Sequence, residues 1–191
     1  MKRLNDLVVL TSRSGWLYLL SIVAAFGSLF FVFGNINAVM LDVTGHELFD
    51  LQNSLTVAQV FEQSRAYTPE AKQLYYAFSF VDFFFPFFAA LFMAATAAFA
   101  LRHGLPDFYR KMNAASLFTL LFTPTVFDWI ENVLALIVVS GFPEQRETAA
   151  GLMVLAKKAK LGAIVAAQLM VLAALLASAV AWIRVRANVR R

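Results

Sequence analysis

The chain has 191 residues, of which 61% are hydrophobic and only 15% charged, with a mean hydropathy of +0.70; that is outside the soluble range, and the length suits one domain. The absence of cysteine excludes disulfides, thiol redox chemistry, iron–sulfur clusters and thiolate metal sites, and two histidines, His46 and His103, make an intramembrane bis-histidine haem untenable. The net charge of +4 does not indicate nucleic acid, because the basic residues gather at the ends of apolar segments, where a membrane accounts for them.

In chain order, Lys2 and Arg3 precede an uncharged run over 16–33. That run is too long for the apolar core of a signal peptide and reads as a first transmembrane helix. The segment 34–73 is acidic and reads as the one sizeable extramembrane loop, with a short helix at 57–63 capped by Thr56 or Ser54. Thr68-Pro69-Glu70 then places an N-cap threonine before a proline in the first turn, starting a helix that runs into a second span at 74–101. A short connection with Arg102, Arg110 and Lys111 leads to a third span at 114–140. Lys157, Lys158 and Lys160 precede a fourth at 161–183, and a basic tail follows. The expected fold is therefore all-α: residues 1–191 form a single bundle of four transmembrane helices with one short extramembrane loop carrying a small helix.

Orientation follows from the lysines and arginines. Ten lie in the N-terminal segment, the second loop and the tail (Lys2, Arg3, Arg13, Arg102, Arg110, Lys111, Arg184, Arg186, Arg190 and Arg191). Six lie on the other side: Arg65, Lys72, Arg146, Lys157, Lys158 and Lys160. The expectation is an integral protein of the plasma (inner) membrane with both termini cytoplasmic. Small residues four apart (Ala24 and Ser28, Gly162 and Ala166, Ala163 and Ala167, Ala174 and Ser178) are positions where helix backbones can approach closely.

Function should sit at three acids. Asp82 lies in the second span; Asp128 and Glu131, with Asn132, lie in the third. Each costs about 2.5 to 3.5 kcal/mol at a helix centre, and no Lys, Arg or His falls inside the four spans to offset them. Asp128, Glu131 and Asn132 stand at i, i+3 and i+4 and share a face; Tyr75, Ser79 and Asp82 share one on the second span. At ~1.5 Å per residue, Asp82 and Glu131 fall about 12–14 Å from the same surface, with Gln168 near that level and Asp128 about a turn deeper. Pro86 and Pro124 each stand four residues from an acid and can open a cavity by kinking the helix. Seven phenylalanines between 78 and 88 surround Asp82, and Phe127 and Trp129 flank Asp128; carboxylates among aromatic faces suit a cation with an apolar body.

The Asp82-to-Pro86 and Asp128-to-Asn132 stretches, with the acidic loop, resemble an uncharacterised family of four-span integral membrane proteins. The general plan also looks like the emopamil-binding and sterol-isomerase group, which implies membrane-embedded acids facing a cationic ligand. The tryptophan-rich motifs of that group are absent, so no residue role carries over.

The leading expectation is a site for a lipidic or amphipathic cationic small molecule, possible acid/base chemistry falling to Asp82, Asp128 and Glu131. Asn132, Gln168, Ser79 and Tyr75 are the expected ligand-binding residues. No cofactor and no metal is expected, membrane lipid is the expected surroundings, and nucleic acid is not a partner. Two alternatives stay open: a non-catalytic subunit or assembly factor among other membrane subunits, and a proton or cation transporter. In the bland reading the acids only join helices through Asn132, Gln168 or one another. A lysine of the 157–160 group can also snorkel toward Glu131.

Overall fold

A computed structural model describes residues 1–189; Arg190 and Arg191 of the basic tail lie outside the described residues. No strand occurs among the described residues, and four helical stretches are long and apolar enough to cross a membrane. The first is preceded by a helix, α1 (Lys2–Arg13), that buries Asn5, Val8, Thr11 and Ser12 at helical spacing. Ser14 interrupts the chain in an extended conformation, and its hydroxyl accepts from the Leu17 amide to start α2 (Gly15–Gly27). One wide π-turn segment, Ser28–Phe33, joins α2 to α3 (Gly34–Thr44) without a break. The helix thus runs on to Thr44, beyond the apolar run ending at 33, and Gly45 stops it in the left-handed conformation at φ 74°.

The connection that follows is folded down onto the bundle. A 3-10 turn (Phe49–Leu51) buries Phe49, and α4 (Val57–Ser64) begins with Thr56 and Gln59 capping each other reciprocally, which resolves the choice between Thr56 and Ser54. Paired amides of Gln52 and Gln63, at 2.9 and 3.0 Å, tie the turn to α4, and the Leu48 amide donates to Asn37 Oδ1 at 3.0 Å.

The second membrane-length stretch is two helices, α5 (Pro69–Asp82) and α6 (Phe85–Gly104). Thr68 caps the first as expected, its hydroxyl accepting from Ala71. Pro86 has no N–H to return to the Asp82 carbonyl, so the helix opens just after the acid. Two side chains of the neighbouring helix cross to this break: Trp129 Nε1 donates to the Phe83 carbonyl at 2.8 Å and Thr125 Oγ1 to the Pro86 carbonyl at 2.9 Å. After α7 (Pro106–Ala114), Ser116 turns the chain at φ 55°, and a 3-10 segment (Leu117–Phe122) leads into α8 (Thr123–Gly141) with Pro124 in its first turn. The last helix, α9 (Glu147–Val189), is 43 residues long and starts well before the expected 161.

Two apolar cores divide the bundle. One, under the folded connection, holds Met40, Phe49, Val60, Tyr75, Phe78, Val138 and Met153; the other holds Val8, Ala94, Ala98, Leu101, Phe118 and Ala167. Along α5–α6, α8 and α9, the ionisable residues fall between these cores. At the second core's end, Asn5 donates to Asn113 Oδ1 at 2.6 Å and Arg102 to the Ser12 carbonyl at 3.2 Å. There Gly104 lies so close to α9 that a Cβ on it would sit 2.5 Å from Ser178 Cα. This is the basic end; the connection 45–68 marks the capped end.

Candidate functional site: a buried carboxylate–lysine cluster

Three helices and one turn deliver charge to a single buried place. Asp82 arrives at the last turn of α5, 1% exposed, and Asp128, Glu131 and Asn132 arrive together on one face of α8, all buried. Asn132 Nδ2 joins the two helices, donating to Asp82 Oδ2 at 2.9 Å and to Asp128 Oδ2 at 3.1 Å. The three expected acids and their amide are therefore brought together.

The expectation that no basic side chain stands at this depth is overturned. Because α9 begins at Glu147, Lys157 and Lys160 are inside the helix and buried, at 2% and 6% exposed. Lys157 Nζ lies 2.7 Å from Glu131 Oε1, the pairing that snorkelling would give. Lys160 Nζ makes three contacts: Glu131 Oε2 at 2.6 Å, Asp50 Oδ1 at 2.7 Å and Asp128 Oδ1 at 2.9 Å. Lys158, between them in sequence, is exposed.

Asp50 is the second member that sequence reasoning missed. The 3-10 turn lowers it from the connection onto the cluster, where its backbone carbonyl also accepts from Lys157 Nζ at 3.0 Å. Burial acts to raise the Asp50 carboxyl, but the ammonium groups of Lys160 and Lys157 outweigh it and hold the group below the ordinary carboxylate range.

A signal for the lysines is present in the sequence. Ala150, Met153, Lys157, Lys160, Ile164 and Ala167 follow one another at spacings of three and four, so both lysines stand on the stripe that faces the bundle. Asp50 has a weaker one, sitting in the apolar triplet Leu48, Phe49 and Leu51.

Of the expected ligand-binding residues, Tyr75 is buried above the cluster among Phe49, Tyr67 and Phe78, with ring centres 5.7, 6.0 and 6.2 Å away. The Ser79 hydroxyl is spent on the Tyr75 carbonyl of its own helix at 2.9 Å. Gln168 is exposed and makes no contact with the carboxylates; it borders a neighbouring cavity instead.

That cavity, about 210 Å³, lies beside the α5–α6 break. Its walls are apolar, with Phe85, Pro86, Met93, Leu121, Pro124 and Ile164 among them, and Asp128 and Lys160 stand at its polar end. Both prolines proposed to open space are in its wall.

The charges do not balance. Four carboxyl groups meet two ammonium groups, so the cluster has two more acids than bases. Asp82 is the acid with no ammonium contact among the described residues, and its Oδ1 is buried without a hydrogen-bond partner. Such an imbalance at depth calls for protons or a further cation. Oxygens of Asp50, Asp82 and Asp128 lie within 4.8 Å of one another, close enough for a hard cation. Lys160 already takes an oxygen of Asp50 and one of Asp128, which leaves such an ion an incomplete shell. Comparison of the chain with protein-family models, with curated proteins and with solved structures finds no match to any of them.

Proposed function

We propose that the chain is an integral membrane protein that binds a lipidic or amphipathic cation, with the apolar body in the cavity beside Pro86 and Pro124 and the cationic head at Asp128. The observation that carries this is the pairing of an apolar cavity with an acid-rich cluster at its polar end. Because the carboxyls exceed the ammonium groups, a cation entering at Asp128 lowers the electrostatic cost of the cluster, whereas an anion raises it. Lys160 does not repel the head strongly, since three carboxylates already surround it. Any proton exchange falls to Asp82, the acid without an ammonium partner, linked to the ligand position through Asn132 and Asp128. The long exposed apolar faces of α2 and α9, including Val23, Leu169, Leu172 and Leu176, support the membrane setting. A transporter is less well supported: an apolar core with Ala94, Ala98, Leu101 and Leu121 lies between the cluster and the basic end.

The test is photolabelling of the purified chain with a long-chain amine carrying a photoreactive group in its tail, against the same chain ending in a hydroxyl. The amine should label segments 85–93 and 160–168, and Asp128→Asn should lower that labelling about tenfold, the loss expected for one charge-assisted contact. Equal labelling by amine and alcohol would sink the proposal.

A further inference from the structure

The break between α1 and α2 at the basic end encloses a recess of about 330 Å³, on a different part of the molecule from the carboxylates. Thr11, Arg13, Ser14, Gly15 and Arg102 line it, and no acid does. Neither arginine is in an ion pair among the described residues. Arg102 Nη2 donates to the Ser12 carbonyl at 3.2 Å and lies 3.4 Å from Nε2 of the adjacent His103, and its guanidinium lies 5.8 Å from the centre of the Phe99 ring, which leaves its other N–H groups to the recess. The recess also receives the start of α2. Ser14 takes the Leu17 and Tyr18 amides, so the Gly15 and Trp16 amides have no partner within the helix, and nothing stands within 4 Å of a Cβ built on Gly15. A second observation points to a ligand: Thr11, a residue of the recess wall, is 1% exposed, and its hydroxyl is buried with no hydrogen-bond partner. A buried hydroxyl left so loses about 1–3 kcal/mol unless something fills the site.

We propose that this recess binds the phosphate of an anionic phospholipid. Two unpaired arginines, free first-turn amides and an unused hydroxyl form a donor set for phosphate oxygens, aided by the positive end of the α2 dipole. The lipid source, rather than free phosphate, follows from what adjoins the recess: Trp16, Leu19, Leu20 and Val23 leave it along α2 as a continuous exposed apolar face, on which acyl chains can lie. A zwitterionic head is disfavoured because its own cation would meet Arg13. The inference rests on the membrane setting but not on the carboxylate site, and either can fail without the other.

The experiment uses the full chain in neutral detergent, titrated separately with short-chain phosphatidylglycerol, phosphatidylcholine of the same chain length, and inorganic phosphate. Lipid retained is read by native mass spectrometry and the unfolding midpoint by thermal scan. Phosphatidylglycerol should be retained and raise the midpoint, with phosphatidylcholine about tenfold weaker. Arg13→Gln, at an exposed position that leaves folding intact, should weaken phosphatidylglycerol about five- to tenfold, and Thr11→Val about threefold. Equal retention of the two lipids, or an unchanged affinity in a folded Arg13→Gln chain, overturns the proposal. Inorganic phosphate binding as tightly as phosphatidylglycerol overturns the lipid assignment.

Discussion

Lys157 and Glu131 are both almost wholly buried, so removing one leaves the other charged with little solvent to receive it. Lys157→Met alone should therefore destabilise the chain by about 3–5 kcal/mol, while Lys157→Met with Glu131→Leu should cost much less than the two single changes summed. A thermal double-mutant cycle reads the difference; single changes that add to within ~0.5 kcal/mol would mean the pair is not coupled. Asp82→Asn differs in kind, because no ammonium depends on it: the fold should survive and the amine labelling weaken. Asp50 gives a pH dependence. Its folded carboxyl is held below the unfolded value, so its contribution is fully present above about pH 4 and is lost as pH falls through the lowered folded value. The connection 45–68 should thus stay protected from protease at neutral and mildly acidic pH and open only below about pH 4. Asp50→Asn should open it already at pH 7, leaving no acid-dependent step. Release of the connection in the wild-type chain near pH 6 would contradict this.

At the scale of helices, much of the plan was legible because local chemistry decides it. Thr68 caps the helix expected of it, Thr56 rather than Ser54 caps the short helix before it, and Pro86 opens α5–α6 where a missing N–H requires it. The i, i+3, i+4 spacing on α8 put Asp128, Glu131 and Asn132 on one face, as geometry demands. What the sequence concealed was tertiary. Apolar runs end where lysines begin, so a reading by hydropathy starts the fourth span at 161, although α9 already exists from Glu147 and Lys157 and Lys160 are paired with acids on α8 and the Phe49–Leu51 turn. Asp50 was likewise hidden, since nothing local says that its turn folds back. The small-residue pairs divide in the same way: Ala167 and Ser178 are buried in the bundle, while Gly162 and Ala166 are exposed. Glycine substitutions separate these cases. Gly104→Ala pushes a methyl into the Ser178 backbone and should cost about 1–3 kcal/mol, whereas Gly162→Ala, with nothing within 4 Å, should be neutral or gain up to about 1 kcal/mol from helix propensity. Equal unfolding midpoints for the two variants would show that α6 and α9 do not pack as closely as the structure has them.

For the molecule as a whole, the cluster bears on orientation. Contacts gather the N-terminal helix, the 102–116 connection and the Ser178 region of α9 at the basic end, and the 45–68 connection with Phe142 at the other, where Lys72 Nζ donates to the Phe142 carbonyl at 3.0 Å. The sequence-based count of basic residues had one weakness, the lysine group before the fourth span. Lys157 and Lys160 are now spent on buried carboxylates, so they do not act as loop charges, and the count on the capped side falls from six to four (Arg65, Lys72, Arg146 and Lys158). Ion-paired lysines at depth do not anchor a loop, because the rule depends on positive charge near the surface that resists translocation. We therefore expect the basic end to face the cytoplasm and the capped end the opposite side. The lack of native cysteine makes the measurement direct: in intact cells a membrane-impermeant thiol reagent should label His46→Cys, on the capped end, while Ala115→Cys, exposed at the basic end, should be labelled only after the membrane is permeabilised. The reverse pattern would invert the orientation, and labelling of both positions in intact cells would mean that the chain does not span the membrane in a single orientation.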